Sequence, residues 1–184
     1  MSEINIENEI SKLKDYGFFN RVMFLFENNK YVNSIFANEI KDKEYSDFSH
    51  CRNILFDSEN ACITIDSLEE SGTYISSSIK TFTDEDSYVN NFFLVVEEDL
   101  PIGTDIIYSI VTDNNDAIKI VPNRNTPMVI PSKELPKSFK IRAELETNGI
   151  NKPKINAIAI MYFDNMVDYK LGLIEPDVSN PTIV

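Results

Sequence analysis

From about residue 53 onward, apolar side chains recur at every second position, a rhythm that only a β-strand can use to dry one face. Residues 138–146 carry it most clearly. Phe139, Ile141, Ala143 and Leu145 alternate with Lys140, Arg142, Glu144 and Glu146. Residues 155–163 are apolar on both faces, with Ile155, Ala157, Ala159 and Met161 opposite Ile158, Ile160 and Tyr162. A strand of that kind lies centrally in a sheet covered on both sides. Between the two runs, residues 147–153 contain Asn148-Gly149 and Pro153, a turn signal that predicts a hairpin. Further strands are expected at residues 61–66, 73–82, 92–97, 105–112, 117–121 and 127–130. Turn formers separate them: Ser71-Gly72, Asp84-Glu85-Asp86, Pro101-Ile102-Gly103, Asp113-Asn114-Asn115-Asp116 and Pro122-Asn123. The gaps are too short for helical crossovers, so the pattern predicts an antiparallel β-sandwich.

The first fifty residues differ in character. Residues 5–16 place Ile6, Ile10 and Leu13 on one helical stripe, and Gly17 follows as a stop. Residues 18–29 hold the densest aromatic cluster, including Phe18, Phe19, Phe24 and Phe26, and suit a helix or a strand equally. Residues 30–48, with Val32, Ile35, Phe36 and Ile40, are loosely helical. The organisation expected is therefore an N-terminal helical or mixed attachment segment at 1–50, a β-sandwich at 51–176 and a C-terminal tail at 177–184. The apolar stripe of the first segment would dock on its own sandwich or on a neighbouring subunit.

Charge removes several kinds of partner. Lys and Arg number 17 against 30 Asp and Glu, a formal net charge of −13. Such a surface repels phosphate backbones and anionic lipid, so neither nucleic acid nor a membrane surface is expected as a partner. No apolar run approaches the roughly 20 residues of a membrane helix, and the first residues lack a secretory signal. With two cysteines, Cys51 and Cys62, there is no disulfide framework; both thiols are expected to pack in a protein made in a reducing cytosol.

Catalytic constellations are sparse. His50 is the only histidine, so no multi-histidine metal site can form within one chain. It adjoins Cys51, but neighbouring strand residues point to opposite faces, which argues against a Cys–His nucleophile. The cysteines lack CxxC spacing. Five glycines build no phosphate or dinucleotide loop. Paired carboxylates for glycoside hydrolysis leave no local signature; Glu97, Glu98 and Asp99, or Glu144 and Glu146, are available but read better as solvated sheet faces. Asp113, Asn114, Asn115 and Asp116 offer four oxygen ligands for calcium but lack the EF-hand order, so a hairpin turn is the better account. Asp84, Glu85 and Asp86 form a solvated loop. Tyr74, Tyr88, Tyr108, Tyr162 and Tyr169 could stack on sugar rings, although Tyr108 and Tyr162 belong in or beside the core, and tryptophan is absent. No catalytic, cofactor-binding or metal-binding residue is assigned, and the chain is expected not to be an enzyme.

Residues 62–164 resemble β-sandwich modules of bacteriophage tail, baseplate and fibre-associated proteins from Gram-positive hosts. The residues carrying the resemblance are Ser71-Gly72-Thr73-Tyr74-Ile75-Ser76, Leu100-Pro101-Ile102-Gly103-Thr104, Ile106-Ile107-Tyr108-Ser109, Leu135-Pro136-Lys137-Ser138-Phe139-Lys140-Ile141-Arg142-Ala143-Glu144-Leu145 and Ile155-Asn156-Ala157-Ile158-Ala159-Ile160. The resemblance implies a jelly-roll-like sandwich and a non-enzymatic structural subunit located in a virion. Its implied partners are other virion proteins and further copies of itself. The alternative it implies is a receptor- or carbohydrate-binding module at the tail tip, contacting a glycan or host receptor through loops at one end.

Overall fold

The computed structural model describes residues 17–28, 32, 34–40, 43–80, 89–112, 115–124, 128–129 and 138–164. Within them one helix, α1 (Phe18–Glu27), precedes eleven strands. These are β1 (Ser34–Glu39), β2 (Ile54–Asp57), β3 (Cys62–Ile65), β4 (Ser71–Ile75), β5 (Ile79–Lys80) and β6 (Val89–Asp99). Then follow β7 (Asp105–Thr112), β8 (Ala117–Ile120), β9 (Met128–Val129), β10 (Ser138–Glu146) and β11 (Lys154–Asp164).

The strands form two antiparallel sheets that make a β-sandwich. The first runs β2-β3-β11-β6-β9 with β1 also on β11; the second runs β4-β10-β7-β8 with β5 also on β10. After β3 the chain crosses to β4 and β5, returns for β6, crosses for β7 and β8, returns for β9, crosses for β10 and returns for β11. Repeated crossing of this kind is the connectivity of a jelly-roll-like sandwich.

Alternation makes the inner layer. Phe92, Leu94 and Val96 of β6 and Ile158 and Ile160 of β11 meet Tyr108, Ile110, Phe139 and Ile141 of the opposite sheet, all buried. Phe139 stands edge-on to Phe92 at 5.3 Å and to Tyr162 at 5.5 Å between ring centres, linking the two layers. Such perpendicular pairs match ring edge to ring face electrostatically.

β11 is covered on both faces, as its composition predicts. A register shift between Ile155 and Ala157 turns Ile155 inward beside Ile158 and Ile160, against the simple alternation expected of it. Ala157, Ala159 and Met161 face outward and lie under Phe18 and Val22 of α1, with Phe93 and Val95 completing the layer. The small side chains of Ala157 and Ala159 let the helix approach the sheet closely. Of the two states open for residues 18–29, residues 18–27 take the helix. Gly17, expected to end a preceding helix at residues 5–16, has φ 78° and stands immediately before α1; residues 5–16 lie outside the described residues, as does the tail at 177–184.

Three expectations need correction. Residues 34–39 are a strand, not a helix: β1 pairs antiparallel with β11 from Ser34↔Tyr162 to Glu39↔Ala157. Both faces of β1 are covered, Phe36 towards the inner layer and Ile35 and Ala37 towards α1. Covering both faces erases the alternation and leaves a spacing that imitates a helix. The sheet thus includes residues that the division at position 50 placed in the attachment segment.

Next, β10 and β11 are not a hairpin. β10 pairs with β4, β5 and β7, and β11 with β1, β3 and β6, in different sheets. Residues 147–153 arch across the roughly 10 Å between layers. Asn148 Oδ1 accepts the N–H groups of Ile150 and Asn151 at 3.1 Å, and Gly149 takes φ 84°. The Asn-Gly signal therefore marks a tight local turn within the arch.

Finally, residues 73–82 do not form one strand. The break follows β4, where the buried Ser76 hydroxyl, rather than a carbonyl, accepts the Ile141 N–H at 2.9 Å while Ser76 N–H donates to Ile141 O at 2.9 Å. β2 has no counterpart among the strands expected from the sequence.

Candidate functional site

Residues 43–53 run from β1 to β2 along the open side of β4, with bridges Ser46↔Ser76 and Arg52↔Thr73. Asp47 opens a turn here, its carbonyl accepting the N–H groups of His50 at 3.0 Å and Cys51 at 3.2 Å. Its carboxylate gathers three side chains. Ser49 Oγ donates to Oδ1 at 2.6 Å, Lys140 Nζ donates to Oδ2 at 2.8 Å, and His50 Nδ1 lies 2.8 Å from Oδ2. The Lys140 ammonium, then Ser49 and His50, hold the Asp47 carboxyl far below the usual carboxylate range.

A serine, a histidine and an aspartate in contact invite comparison with a hydrolytic triad. The geometry does not support it. A triad uses the two imidazole nitrogens for different partners, carboxylate on Nδ1 and nucleophile on Nε2. Here Ser49 Oγ lies 3.1 Å from Nδ1, the same nitrogen that faces Asp47, and its proton goes to the carboxylate. The cluster fastens a turn onto β10 through Lys140. Sequence reasoning set His50 beside Cys51 and missed Asp47 and Ser49, although three polar side chains within four positions are a signal for a side-chain-braced turn.

The remaining candidates hold the fold. Cys51 Sγ accepts the Ile75 N–H at 3.2 Å and points at Ile75 O at 3.7 Å, while Cys62 is fully buried. Burial raises both thiols above their ordinary range, which disfavours the nucleophilic thiolate. Tyr74 and Tyr108 are each 1% exposed and Tyr162 is 8% exposed, so none offers a ring face to a ligand. Tyr74 is hydrogen-bonded to Ser46, and burial pushes its hydroxyl up to about 12. Tyr88, Tyr169, Asp84, Glu85, Asp86, Asp113 and Asn114 lie outside the described residues. Asn115 has φ 64° and its N–H donates to Thr112 O at 2.9 Å, a turn between the paired strands β7 and β8.

Of the carboxylates, Glu97, Asp99 and Glu146 are exposed and Glu144 lies 3.6 Å from Arg142. Glu98 differs. It extends the inward row of Phe92, Leu94 and Val96, and accepts the Tyr108 hydroxyl at 2.7 Å across the two sheets. Burial raises its carboxyl above the ordinary glutamate range, and burial, followed by the Glu98 carboxylate beside it, drives the Tyr108 hydroxyl far up. Asp105, exposed on β7, is near enough to add to that rise, and the Glu98 carboxyl itself is held by the Tyr108 hydroxyl. Among the described residues, no three His, Cys, Asp or Glu side chains converge as a metal site would need. A cavity of about 140 Å³ lies between Phe92, Leu94, Ile120 and Met128, with Lys119 and Arg124 at its wall.

At the end of the sandwich beyond Glu98, three connections meet: residues 66–70 (β3 to β4), 100–104 (β6 to β7) and 147–153 (β10 to β11). Each crosses between sheets. The carbonyl of Ile102 accepts Asn148 Nδ2 at 3.2 Å and Asn151 Nδ2 at 3.3 Å, and Lys152 Nζ donates to Ile65 O at 3.3 Å and to Asp66 O. Thr104 closes its own turn through Oγ1 to Pro101 O at 2.7 Å. The three connections are thereby braced against one another.

No family model matches the chain, and no curated protein matches it. Among solved structures, it is similar to TmCBM61 in complex with β-1,4-galactotriose, at 12% identity, over 73% of this chain and 92% of that one, with a TM-score of 0.30. A likeness of that degree carries no functional argument; the sandwich stands on its own strand pairing. No described helix is long and apolar enough to cross a membrane.

Proposed function

We propose that the chain is a non-catalytic structural subunit of a phage virion, in a tail, baseplate or fibre-associated position, joined to other virion proteins and to further copies of itself by protein–protein contacts. One observation supports this above the others: among the described residues, the candidates for a nucleophile and for sugar stacking are engaged in the fold. Ser49 and His50 brace a turn on Asp47, Cys51 binds the Ile75 backbone, and Tyr74 and Tyr108 are buried. The resemblance of residues 62–164 to tail and baseplate sandwiches supplies the virion setting. Buried tyrosines weigh against the alternative of a carbohydrate-binding module, which needs exposed ring faces.

Co-expression of the full chain with the products of its neighbouring genes, followed by gradient sedimentation, tests the proposal. The chain is expected to sediment with large assemblies. A chain that stays free in every combination and binds a glycan on an array would overturn it.

A further inference from the structure

The most exposed large hydrophobic side chains share one end of the sandwich. Among the described residues, Ile102 is 93% exposed, Leu68 91% and Ile150 86%, whereas every other exposed large hydrophobic lies between 43% and 47%. Each of the three sits near the middle of one of the braced crossings. Turn centres ordinarily carry polar residues, and a side chain so fully in water gains nothing from the fold of its own chain. These turns are nevertheless fixed. Leu68 N–H reaches Asp66 Oδ1 at 3.4 Å, Ile102 is held through its carbonyl by two asparagine amides, and Ile150 N–H is held by Asn148 Oδ1. Rigid apolar tips are anchors that lose little conformational freedom on binding.

The surroundings say what they anchor to. Glu69, Glu70, Asp99, Asp105 and Glu146 are exposed on the same crossings or on the strand ends beside them. The nearby cations are less available: Lys152 is bound to backbone carbonyls, and Lys154 is half-buried on the strand opposite Asp99. A second copy meeting this end face to face would set carboxylate against carboxylate, and an anionic bilayer would meet the same repulsion.

We propose that Leu68, Ile102 and Ile150 form a docking surface for a protein partner whose apolar recess is ringed by lysine and arginine. This deepens the assembly proposal and rests on it, naming the contact surface and the chemistry of what it meets. The apolar tips would supply the desolvated centre, and the carboxylate rim would steer encounter and set specificity.

The test selects ligands for the full chain from a random-peptide library, then compares wild type with Leu68→Ser/Ile102→Ser/Ile150→Ser. Selected peptides should combine apolar residues with flanking Lys or Arg. Their affinity should fall at least about tenfold in the triple variant, and weaken with salt as exposed ion pairs do. Unchanged binding by a variant with wild-type circular dichroism overturns the proposal, as does selection of peptides without basic residues. Wild-type binding to phosphatidylcholine vesicles, or a dimer that the triple substitution dissolves, also overturns it in favour of a lipid surface or a second copy. If the triple variant binds peptide normally and still sediments with assemblies, the surface is wrong while the assembly proposal stands. If wild type never joins an assembly, that proposal fails as well.

Discussion

Phe139 is the residue whose loss should report most directly on how the two sheets face each other. It projects from β10 and meets Phe92 on β6 and Tyr162 on β11 edge-on, at 5.3 and 5.5 Å, with 1% of its surface exposed. Phe139→Ala removes a whole ring from the middle of the sandwich, where neighbours on both sheets are pinned by their own ladders and cannot collapse into the gap. Truncations of this kind cost about 3–5 kcal/mol. Edge-to-face contacts of about 0.5–1.5 kcal/mol each belong to that sum. With a urea dependence of about 2 kcal/mol per molar, the midpoint should fall by roughly 2 M. Phe139→Leu keeps most of the volume and should lose less than half as much.

Equilibrium urea unfolding, followed by circular dichroism, measures both variants. A cycle with Phe92→Ala adds the coupling between the rings, expected at about 0.5–1.5 kcal/mol. A midpoint shift below about 0.3 M for Phe139→Ala, or zero coupling to Phe92, would refute the facing of β10 and β6. A large loss with zero coupling would mean that Phe139 is buried elsewhere.

Other perturbations probe the charged groups and the loop braces. Asp47 is shifted below its ordinary 3.8 by Lys140, so its contribution is fully present above about pH 4 and declines as the pH falls further; Asp47→Asn should cost about 1–2 kcal/mol at neutral pH and progressively less below about pH 4, measured by urea unfolding across pH. Glu98 has the opposite sign: its carboxyl is raised above 4.5, so ionisation penalises the folded state as the pH climbs through and beyond that value. Glu98→Gln can still accept the Tyr108 hydroxyl, and should leave neutral-pH stability unchanged or raised by about 0.5–1 kcal/mol, with a flatter profile from pH 4 to 7. Gly103 and Gly149 both have φ 84°, but a Cβ on Gly103 would come within 2.2 Å of Asn148 Nδ2, while one on Gly149 meets nothing within 4 Å. Gly149→Ala should cost about 1 kcal/mol for the left-handed backbone alone; Gly103→Ala should lower the melting temperature further, because the amide bracing Ile102 must move.

A strand was legible in the sequence where its run keeps the two-residue rhythm, as β10 does, or is apolar along nearly its whole length, as β11 is, and was not where a short mixed run is covered on both faces, as in β1. β10 coincides with residues 138–146 because it alternates against solvent on its outer side, and β7 with residues 105–112 because an apolar, β-branched run lies there between turn formers. β1 was obscured by α1 on one side and the inner layer on the other, and its three consecutive apolar residues, Ile35, Phe36 and Ala37, carry no two-residue period. The arch at 147–153 was obscured differently: Asn148-Gly149 specifies a local backbone turn, whereas the sheet that β11 joins depends on the vacant side of β6, far away in sequence. The Asp47 cluster depends on Lys140, 93 positions away. Ile102 and Ile150 fell among turn formers and broke no pattern, so their isolation from any apolar face passed as punctuation.

That isolation has a structural cause. A jelly-roll-like sandwich carries many connections over its open ends, and just beneath the three braced crossings the strand residues Ile106, Leu145 and Ile155 turn inward and extend the core. Ile102 is kept from doing so by the amides of Asn148 and Asn151, which hold its carbonyl towards the neighbouring crossing. Folding back would break both bonds and leave a carbonyl to be desolvated at about 1–3 kcal/mol, comparable with the roughly 1.5–3 kcal/mol that burying an isoleucine returns. Burial inside the same chain therefore offers little or no net gain. The docking proposed for this end would return the apolar term for Ile102 without breaking the brace that holds its carbonyl.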